Sequence, residues 1–321
     1  MKSCNCKSGA SNTGVPFCVD IYQRTRRPIF QSIYDSAGVR NSIKDSDFVG
    51  GVLPKSYITA MINHVDPSKR WYVMPEVKAV SWTQAEPNTE DIDGISYIVS
   101  DGNITGSFDF VGKNASDKFY GVLESFKCGS YGMIPVTVGG ELVGVEGTDE
   151  LFPQPLEQGT MSLTKAINSK TTVNRITVNF MYQEDFPVGD INYIGASQIE
   201  SGALDGINGL QDIVLESNGV ATTTNLLIKA SLVYGAFENK LPVEGLLVTD
   251  MSIDSGLTTA EVYNQTTDAP VTVSTLTEST IDGEEGEYVA VMGVAQTSAD
   301  VIRVDLFKEG YATESITITI P

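Results

Sequence analysis

The chain has 321 residues and a formal net charge of −20. Its hydrophobic fraction of 41% and charged fraction of 19% exclude a disordered or collagen-like chain, and its length allows two domains with ordinary cores. The acidic balance argues against a protein that binds nucleic acid, because duplex binding needs Lys and Arg to neutralise phosphates. No apolar run reaches the roughly 18 residues that a membrane-spanning helix needs.

The negative charge is concentrated in the second half of the chain. Residues 1–175 hold 17 Lys and Arg against 19 Asp and Glu, whereas residues 176–321 hold 4 against 22. Charge of this kind commonly serves solubility through mutual repulsion. The more specific alternative is that the negative charge forms a surface that repels passing DNA.

The first residues, MKSCNCKSGASNTG, are polar and lack the apolar segment of a secretory signal, so we expect synthesis in a cytoplasm. Residues 1–20 are predicted to form an extended arm that becomes ordered against a neighbouring subunit. The arm contains Cys4, Cys6 and Cys18. Their spacing favours free thiols, as for Cys128, although a small site formed by the first three stays open.

Residues 21–205 are predicted to form an α+β domain. It starts with a basic cluster, Arg24, Arg26 and Arg27, which fits a strand edge or an intersubunit ion-pair site better than a nucleic-acid patch. Apolar residues at helical spacing predict two short helices, 54–65 and 116–127, the second capped by Asn114 or Ser116.

Turn residues and alternating patterns predict the strands of this domain. We expect one hairpin of 95–99 and 104–111 around Asp101–Gly102, and another of 133–138 and 142–145 around Gly139–Gly140. A further strand is predicted over residues 171–182, because Ile176, Val178, Phe180 and Tyr182 alternate with Thr177, Asn179 and Met181, which is typical of a strand with one apolar face.

Residues 206–321 are predicted to form an immunoglobulin-like β-sandwich. Short β-rich runs separated by turn signals recur about every ten residues, although the Cys…Trp…Cys hallmark is missing. The boundary is placed in the Gly-rich stretch 201–209. The predicted fold class is therefore mainly β, an α+β barrel or sandwich followed by the Ig-like module. The predicted strands of the module are 213–216, 226–233, 246–249, 271–276, 288–291, 301–307 and 316–320.

No recognised catalytic motif occurs, and His64 is the only histidine. GxSxG, P-loop, HExxH and strand-linked GxGxxG patterns are all missing. A dyad of His64 with Cys18 or Cys128 stays formally open, as does a glycosidase-type carboxylate pair. We therefore expect no enzyme, and we assign no catalytic, cofactor-binding or metal-binding residue.

Two acidic loops could hold a calcium ion, but their ligand spacing lacks the pattern of an EF-hand, so solvated turns are favoured. Asn103 and Asn114 begin glycosylation sequons, which mean little without a signal peptide. The acidic residues of the two loops are Glu90, Asp91 and Asp93 in the first, and Asp282, Glu284, Glu285 and Glu287 in the second.

Several stretches carry a resemblance to a known class of proteins: CNCKSGASNTGVPFCV, ITAMINHVDPSKRWYVMP and FYGVLESFKCGSYGMIPVTVGGELVG. Two C-terminal stretches carry the same resemblance: VTVSTLTEST and GEYVAVMGVAQTSADVIRVDLFKEGY. On these stretches, the chain resembles virion structural proteins of tailed bacteriophages that infect Bacteroidota. It is most similar in pattern to tail tube proteins with an appended Ig-like module.

The resemblance implies that the protein assembles with itself and with other virion proteins in the phage tail. Its first domain would form a ring, typically a hexamer, whose strands join into a continuous inner β-barrel. Stacked rings would then form the conduit for genome ejection, through which DNA passes without specific binding, and no membrane is involved. A wall that repels DNA would use acids of the first domain, and the candidates are Glu141, Glu146, Asp149 and Glu150.

Two alternatives follow from the same features. The protein could be a capsid-decorating, collar or ring protein of the same virion. It could also be an adhesion or carbohydrate-binding module whose Ig-like domain contacts the host.

Overall fold

The fold of the protein is mainly β, with two α-helices and several sheets that include a half-barrel, as the sequence predicts. The chain divides into two compact units, Met1–Gly209 and Leu210–Pro321, four residues beyond the predicted boundary. The predicted arm, with Cys4, Cys6 and Cys18, lies outside the described residues. A computed structural model describes residues 24–64, 66–93, 95–100, 102–169, 172–184, 186, 188–235, 240–251, 253–254, 259–260, 262–281 and 284–321.

The strands of the first unit pair antiparallel in every sheet. One sheet has the order β2-β10-β9-β8-β1-β3, with β11 on β8 and β14 on β9; a second has the order β12-β13-β7-β4; and β5 pairs with β6. The helices are α1 (Lys55–Ile62) and α2 (Asp117–Ser125). The strands are β1 (Thr25–Ser32), β2 (Ile43–Lys44), β3 (Tyr72–Val73), β4 (Lys78–Gln84), β5 (Asn88–Ile92), β6 (Ile95–Ser100), β7 (Ile104–Val111), β8 (Tyr131–Thr137), β9 (Leu142–Glu146), β10 (Glu150–Phe152), β11 (Gln154–Pro155), β12 (Ser162–Ala166), β13 (Arg175–Met181) and β14 (Ile191–Ile194).

An aromatic core joins the two larger sheets of the first unit. The Phe108 ring of β7 lies 6.3 Å from Phe30 of β1 and 5.5 Å from Phe180 of β13, measured between ring centroids. Helix α2 covers one side of this core, where Phe119 meets Phe110 edge to face at 4.8 Å. Because each aromatic ring buries a large apolar area, these contacts hold the sheets together.

Both predicted helices form. Ser116 caps α2, since its side-chain oxygen accepts a hydrogen bond from Phe119 N at 3.1 Å, and the helix buries Leu123. Helix α1 begins after Pro54, ends at Ile62 and buries Ile58 and Ile62.

The first predicted hairpin is wrong in its pairing, although both of its strands exist. Strand β6 pairs with β5, whereas β7 lies between β4 and β13. The turn of the real hairpin follows Ile92, where Asp93 adopts a φ of 53°. Gly102 instead allows a close backbone approach, since a Cβ placed there would lie 1.8 Å from Ala85 O.

The other strand predictions for the first unit are confirmed, although the strand predicted over residues 171–182 spans Arg175–Met181. Strands β8 and β9 form a hairpin in which Val136 faces Leu142, and Gly140 takes the positive φ of 82° that its turn requires. In β13, Ile176, Val178 and Phe180 are buried, in the predicted alternation.

The second unit has the strand order of an immunoglobulin-like sandwich around one core. One sheet runs β15-β16-β23-β22 and the other β21-β20-β24-β25. With β15, β16, β20, β22, β23, β24 and β25 as strands A to G, these orders are A-B-E-D and C′-C-F-G. The strands are β15 (Ile213–Ser217), β16 (Asn225–Gly235), β17 (Lys240–Pro242), β18 (Ile253–Asp254), β19 (Thr259–Ala260), β20 (Val262–Asn264), β21 (Ala269–Pro270), β22 (Val273–Glu278), β23 (Glu287–Met292), β24 (Val301–Leu306) and β25 (Glu314–Thr319).

One of the seven predicted strands of this unit is wrong. The run 246–249 is not a strand, because the chain forms a short 3-10 turn at Val248–Asp250. Strand C is instead β20, whose three residues bury Val262 and Asn264. The other six predicted runs coincide with strands of the sandwich.

Candidate assembly surface

The four-stranded sheet of the first unit has one buried face and one polar face. On the buried face, Phe108, Phe110 and Val178 belong to the aromatic core. The opposite face, which we call the hydroxyl face, is rich in Ser, Thr and Asn. It comprises Lys78, Ser81, Thr83, Thr105, Ser107, Asp109, Val111, Ser162, Thr164, Ala166, Arg175, Thr177, Asn179 and Met181.

Register aligns the small polar side chains of the hydroxyl face in rows. Ser81 faces Ser107, Ser107 faces Asn179, and Asn179 faces Ser162, so one row crosses all four strands. The hydroxyls of Ser81 and Ser107 lie 2.7 Å apart within this row. Such a row presents neutral hydrogen-bonding groups without fixed charge.

The charged residues on this face are two cations and one carboxylate. Asp109 Oδ2 lies 3.5 Å from Arg175 Nη1, and Thr177 donates a hydrogen bond of 2.6 Å to Asp109 Oδ1. Lys78 occupies the position opposite Asp109 on β4. The carboxylate is thus compensated, and the four strands carry a net charge of one positive unit on this face.

Both outer edges of this sheet are open among the residues that the structure describes. All seven residues of β4 are exposed, and β12 alternates between exposed and half-buried positions. Because neighbouring strands alternate in direction, β4 and β12 run antiparallel to each other. The β4 edge of one copy can therefore pair with the β12 edge of another in the antiparallel sense.

The β5–β6 hairpin exposes apolar side chains. Ile92, Ile95 and Tyr97 are 51%, 57% and 50% exposed.

The two acidic loops that could hold calcium lie in different units of the chain. In the first loop, Glu90 and Asp91 lie on β5, and Asp93 lies in the turn that follows it. In the second loop, Glu287 accepts hydrogen bonds from Lys229 and Asn218, and Asp282 lies outside the described residues. Across the described ranges, no group of three or more His, Cys, Asp or Glu side chains could hold a metal ion.

The acids expected to line a channel lie elsewhere in the first unit. Glu146 ends β9, Glu150 starts β10, and Asp149 takes a φ of 58° between these strands. Glu141 precedes β9 and accepts a hydrogen bond of 2.7 Å from the Thr137 hydroxyl. These strands belong to the eight-stranded sheet, so none of the four acids is on the hydroxyl face.

Most of the acidity belongs to the second unit. Residues 210–321 hold 4 Lys and Arg against 17 Asp and Glu. The charge of the chain is therefore no guide to the hydroxyl face.

The basic cluster at the start of β1 is engaged inside the first unit. Arg26 Nε donates a hydrogen bond of 2.6 Å to Glu76 Oε1, and this bond lowers the pKa of the Glu76 carboxyl. Arg27 is buried, and its guanidinium donates to the carbonyl of Ile207. Burial lowers the pKa of Arg27. These contacts fit an ion-pair role within one copy, and they occupy groups that a nucleic-acid patch would need.

His64 and Cys128 are not joined by a hydrogen bond in the described structure. His64 Nδ1 accepts a hydrogen bond of 3.1 Å from Asp66 N, and Arg70 Nε donates to the His64 carbonyl at 2.9 Å. Cys128 is exposed, three residues beyond the last residue of α2. These contacts indicate a structural role for His64 in the turn that follows α1.

A cavity of about 250 Å³ lies between the two larger sheets, beside β4. Val80 and Trp82 of β4 and Arg24 border it, and Phe108, Met133 and Phe180 are among its lining residues. Inside, Tyr182 donates a hydrogen bond of 3.1 Å to Gln154 Oε1. This cavity cannot be predicted from the sequence, because it depends on how two sheets face each other.

No protein-family model matches this chain, and no curated protein matches it significantly in sequence. In the part of the chain that the structure describes, no helix is long and apolar enough to cross a membrane.

Proposed function

We propose that this protein is a virion structural protein, a phage tail tube subunit that assembles edge to edge into rings and stacks into the genome-ejection conduit. The observation that carries the proposal is the open four-stranded sheet, whose β4 and β12 edges are free among the described residues and suitably oriented to pair between copies. Exposed sheet edges are a liability in a monomer, and closure into a ring removes them.

The dimensions of such a ring suit a DNA conduit. Each copy contributes four strands, so a hexamer would close a barrel of about 24 strands. With about 4.8 Å between strands and a tilt near 40°, the interior would be about 40 Å wide after side chains are allowed for. A DNA duplex fits through such an opening.

The hydroxyl face is the proposed inner wall. Its Ser, Thr and Asn side chains can exchange hydrogen bonds with water or phosphate, but they release few counterions and therefore hold DNA weakly. This wall differs from the acidic wall expected from the sequence, since its one carboxylate is compensated by Arg175. Passage of DNA would rely on weak contact rather than on repulsion.

The β5–β6 hairpin favours stacked rings over a single collar ring. Its exposed Ile92, Ile95 and Tyr97 are apolar groups that a neighbouring ring could cover. A collar or decoration protein would need the edge pairing but not this second contact. The adhesion alternative is supported only by the Ig-like strand order, and proteins with many unrelated functions have that fold.

Electron micrographs of the purified full chain test the proposal. Long hollow tubes are expected. Single rings would favour the collar alternative, and protein that stays monomeric at all concentrations would contradict edge-to-edge assembly.

Paired charges at the two edges test which strands meet. Ser81 and Ser162 lie in one row at opposite edges of the sheet. The Ser81→Glu, Ser162→Glu variant should assemble less, because like charges across each interface cost about 0.2–1 kcal/mol, repeated around the ring. The matched Ser81→Lys, Ser162→Glu variant should assemble like the unmodified chain. Equal assembly of both variants at low salt would contradict β4–β12 pairing.

A further inference from the structure

The cavity beside β4 has an incomplete wall. Val80 and Trp82 lie on the core side of β4, yet they are 37% and 45% exposed. A large indole ring left partly in water at the mouth of an apolar cavity forgoes the stabilisation that burial would give. The fold of one copy therefore leaves a gap at this edge.

Apart from Arg24, which is exposed on its border, the lining offers little to a small polar ligand. Tyr182 and Gln154 hydrogen-bond to each other inside the cavity. Within the described residues, no lining side chain has a buried nitrogen or oxygen atom without a hydrogen-bond partner. Unsatisfied polar groups are what a pocket uses to orient a polar ligand, so the lining suits an apolar side chain better.

The opposite edge of the same sheet offers such a side chain. On β12, Leu163 faces Val178 and Lys165 faces Ile176, so both lie on the core side. Lys165 is engaged in an ion pair with Asp117, whereas Leu163 is half-buried against the core. If β12 extends the sheet beyond β4, its core side continues the core side of β4, next to Trp82.

We propose that the neighbouring copy completes this wall: its Leu163 packs over Trp82 and Val80 and closes the cavity. Side chains on one face of paired strands lie within about 4.5–8 Å as direct or diagonal neighbours. This inference rests on the proposed ring assembly and specifies the partner as a second copy of the chain. Each first unit then obtains part of its core from the next copy.

Tryptophan fluorescence tests the proposal directly. The chain has two tryptophans, and Trp71 is only 1% exposed. In the full-length Trp71→Phe variant, emission comes from Trp82 alone. On assembly this emission should shift to shorter wavelength and lose most of its quenching by acrylamide. If Trp71→Phe fails to fold, quenching of the unmodified chain reports the same change, because buried Trp71 is quenched little.

Leu163→Ala should restore much of the quenching in assembled protein, whereas the control Thr164→Ala, on the hydroxyl face of the same strand, should not. Assemblies in which Trp82 stays as quenchable as in the monomer would overturn this inference and leave ring assembly intact. Failure of the unmodified chain to assemble would overturn both.

Discussion

Asp109 of β7 and Arg175 of β13 are diagonal neighbours on the polar side of the four-stranded sheet, with 3.5 Å between carboxylate and guanidinium. Thr177 binds the second carboxylate oxygen at 2.6 Å. The one carboxylate on this face is thereby neutralised, and most of the other side chains are Ser, Thr and Asn. The face therefore has no uncompensated carboxylate to repel DNA, and its net charge of one positive unit per copy would release few counterions on contact with DNA.

Adding a cation to this face should make assembled protein bind DNA. Asn179 is exposed in the middle of the row of small polar side chains. Asn179→Lys is expected to retain duplex DNA on assembled particles at low salt, with the logarithm of the binding constant falling by about 0.9 per logarithmic unit of salt for each phosphate contacted. Co-sedimentation of labelled DNA over a salt series measures both the retained DNA and its dependence on salt.

The uncharged control for this experiment is Asn179→Gln, which adds length but no charge and should behave like the unmodified chain. Salt-independent retention by Asn179→Lys, or equal retention by Asn179→Gln, would contradict the assignment of this face as the inner wall.

Local sequence patterns were sufficient for the helices and for β13. Ser116 caps α2 and Ile176, Val178 and Phe180 alternate, and both features depend on neighbours within a few residues. The same reasoning failed for the hairpin, because Asp93–Gly94 and Asp101–Gly102 are the same dipeptide. Strand β7 lies between β4 and β13, where Phe108 and Phe110 pack against Phe30 of β1 and Phe119 of α2, and these contacts are not local in sequence.

The candidate surface could not be predicted from the sequence for a related reason. Free edges are a property of strand order, and β4 and β12 become edges only because distant strands pair between them. Strand β20 was missed because three residues are too few to show alternation. Glu141 and Glu150 are candidates for a channel wall on their charge alone, and strand order places Glu150 on β10 and Glu141 next to β9, both in the other sheet.

Removing the Tyr288 hydroxyl should weaken the second unit. This buried hydroxyl donates a hydrogen bond of 2.7 Å to Val243 O and accepts one of 3.3 Å from Leu246 N. Tyr288→Phe leaves both backbone groups without this partner, and the free energy of unfolding should fall by about 1–3 kcal/mol. Hydrogen exchange of β23 amides measures the change without relying on tryptophan.

The control for this variant is Tyr311→Phe. In the residues that the structure describes, its hydroxyl has no hydrogen-bond partner, so the change should stay within about 0.5 kcal/mol. Equal effects of the two variants would show that the Tyr288 hydrogen bonds contribute nothing to stability.

Asp66 should make the stability of the first unit depend on pH in the acid range. Hydrogen bonds from Ser68 and Ser36 lower the pKa of its carboxyl from 3.8 to about 2. Because the pKa is lower in the folded state, the stabilisation is present above about pH 4 and is lost as the pH falls towards 2. Urea unfolding followed by tryptophan fluorescence reports this unit, which contains both tryptophans.

The Asp66→Asn variant should therefore be less stable than the unmodified chain at pH 5, and the difference should narrow between pH 4 and 3. Ser68→Ala, which removes one of the donors, should reduce the same pH dependence in part. A difference that stays constant across this range would contradict the assigned hydrogen bonds.

The same substitution, Gly to Ala, should have opposite effects at two positions of the first unit. Gly121 lies inside α2 with no atom within 4 Å of an added Cβ, so Gly121→Ala should stabilise by about 0.5–1 kcal/mol. At Gly106, an added Cβ would lie 2.4 Å from the Phe180 ring. Gly106→Ala should destabilise by about 1–3 kcal/mol, because the ring must leave its place in the core.

Urea unfolding at neutral pH, again followed by tryptophan fluorescence, measures both effects. Phe180 also lines the cavity beside β4. If its ring moves into that space, Gly106→Ala should additionally impair assembly, because the neighbouring Leu163 would no longer fit over Trp82. Gly121→Ala should assemble normally. If Gly106→Ala leaves the free energy of unfolding unchanged, Phe180 does not pack against this glycine as the structure describes.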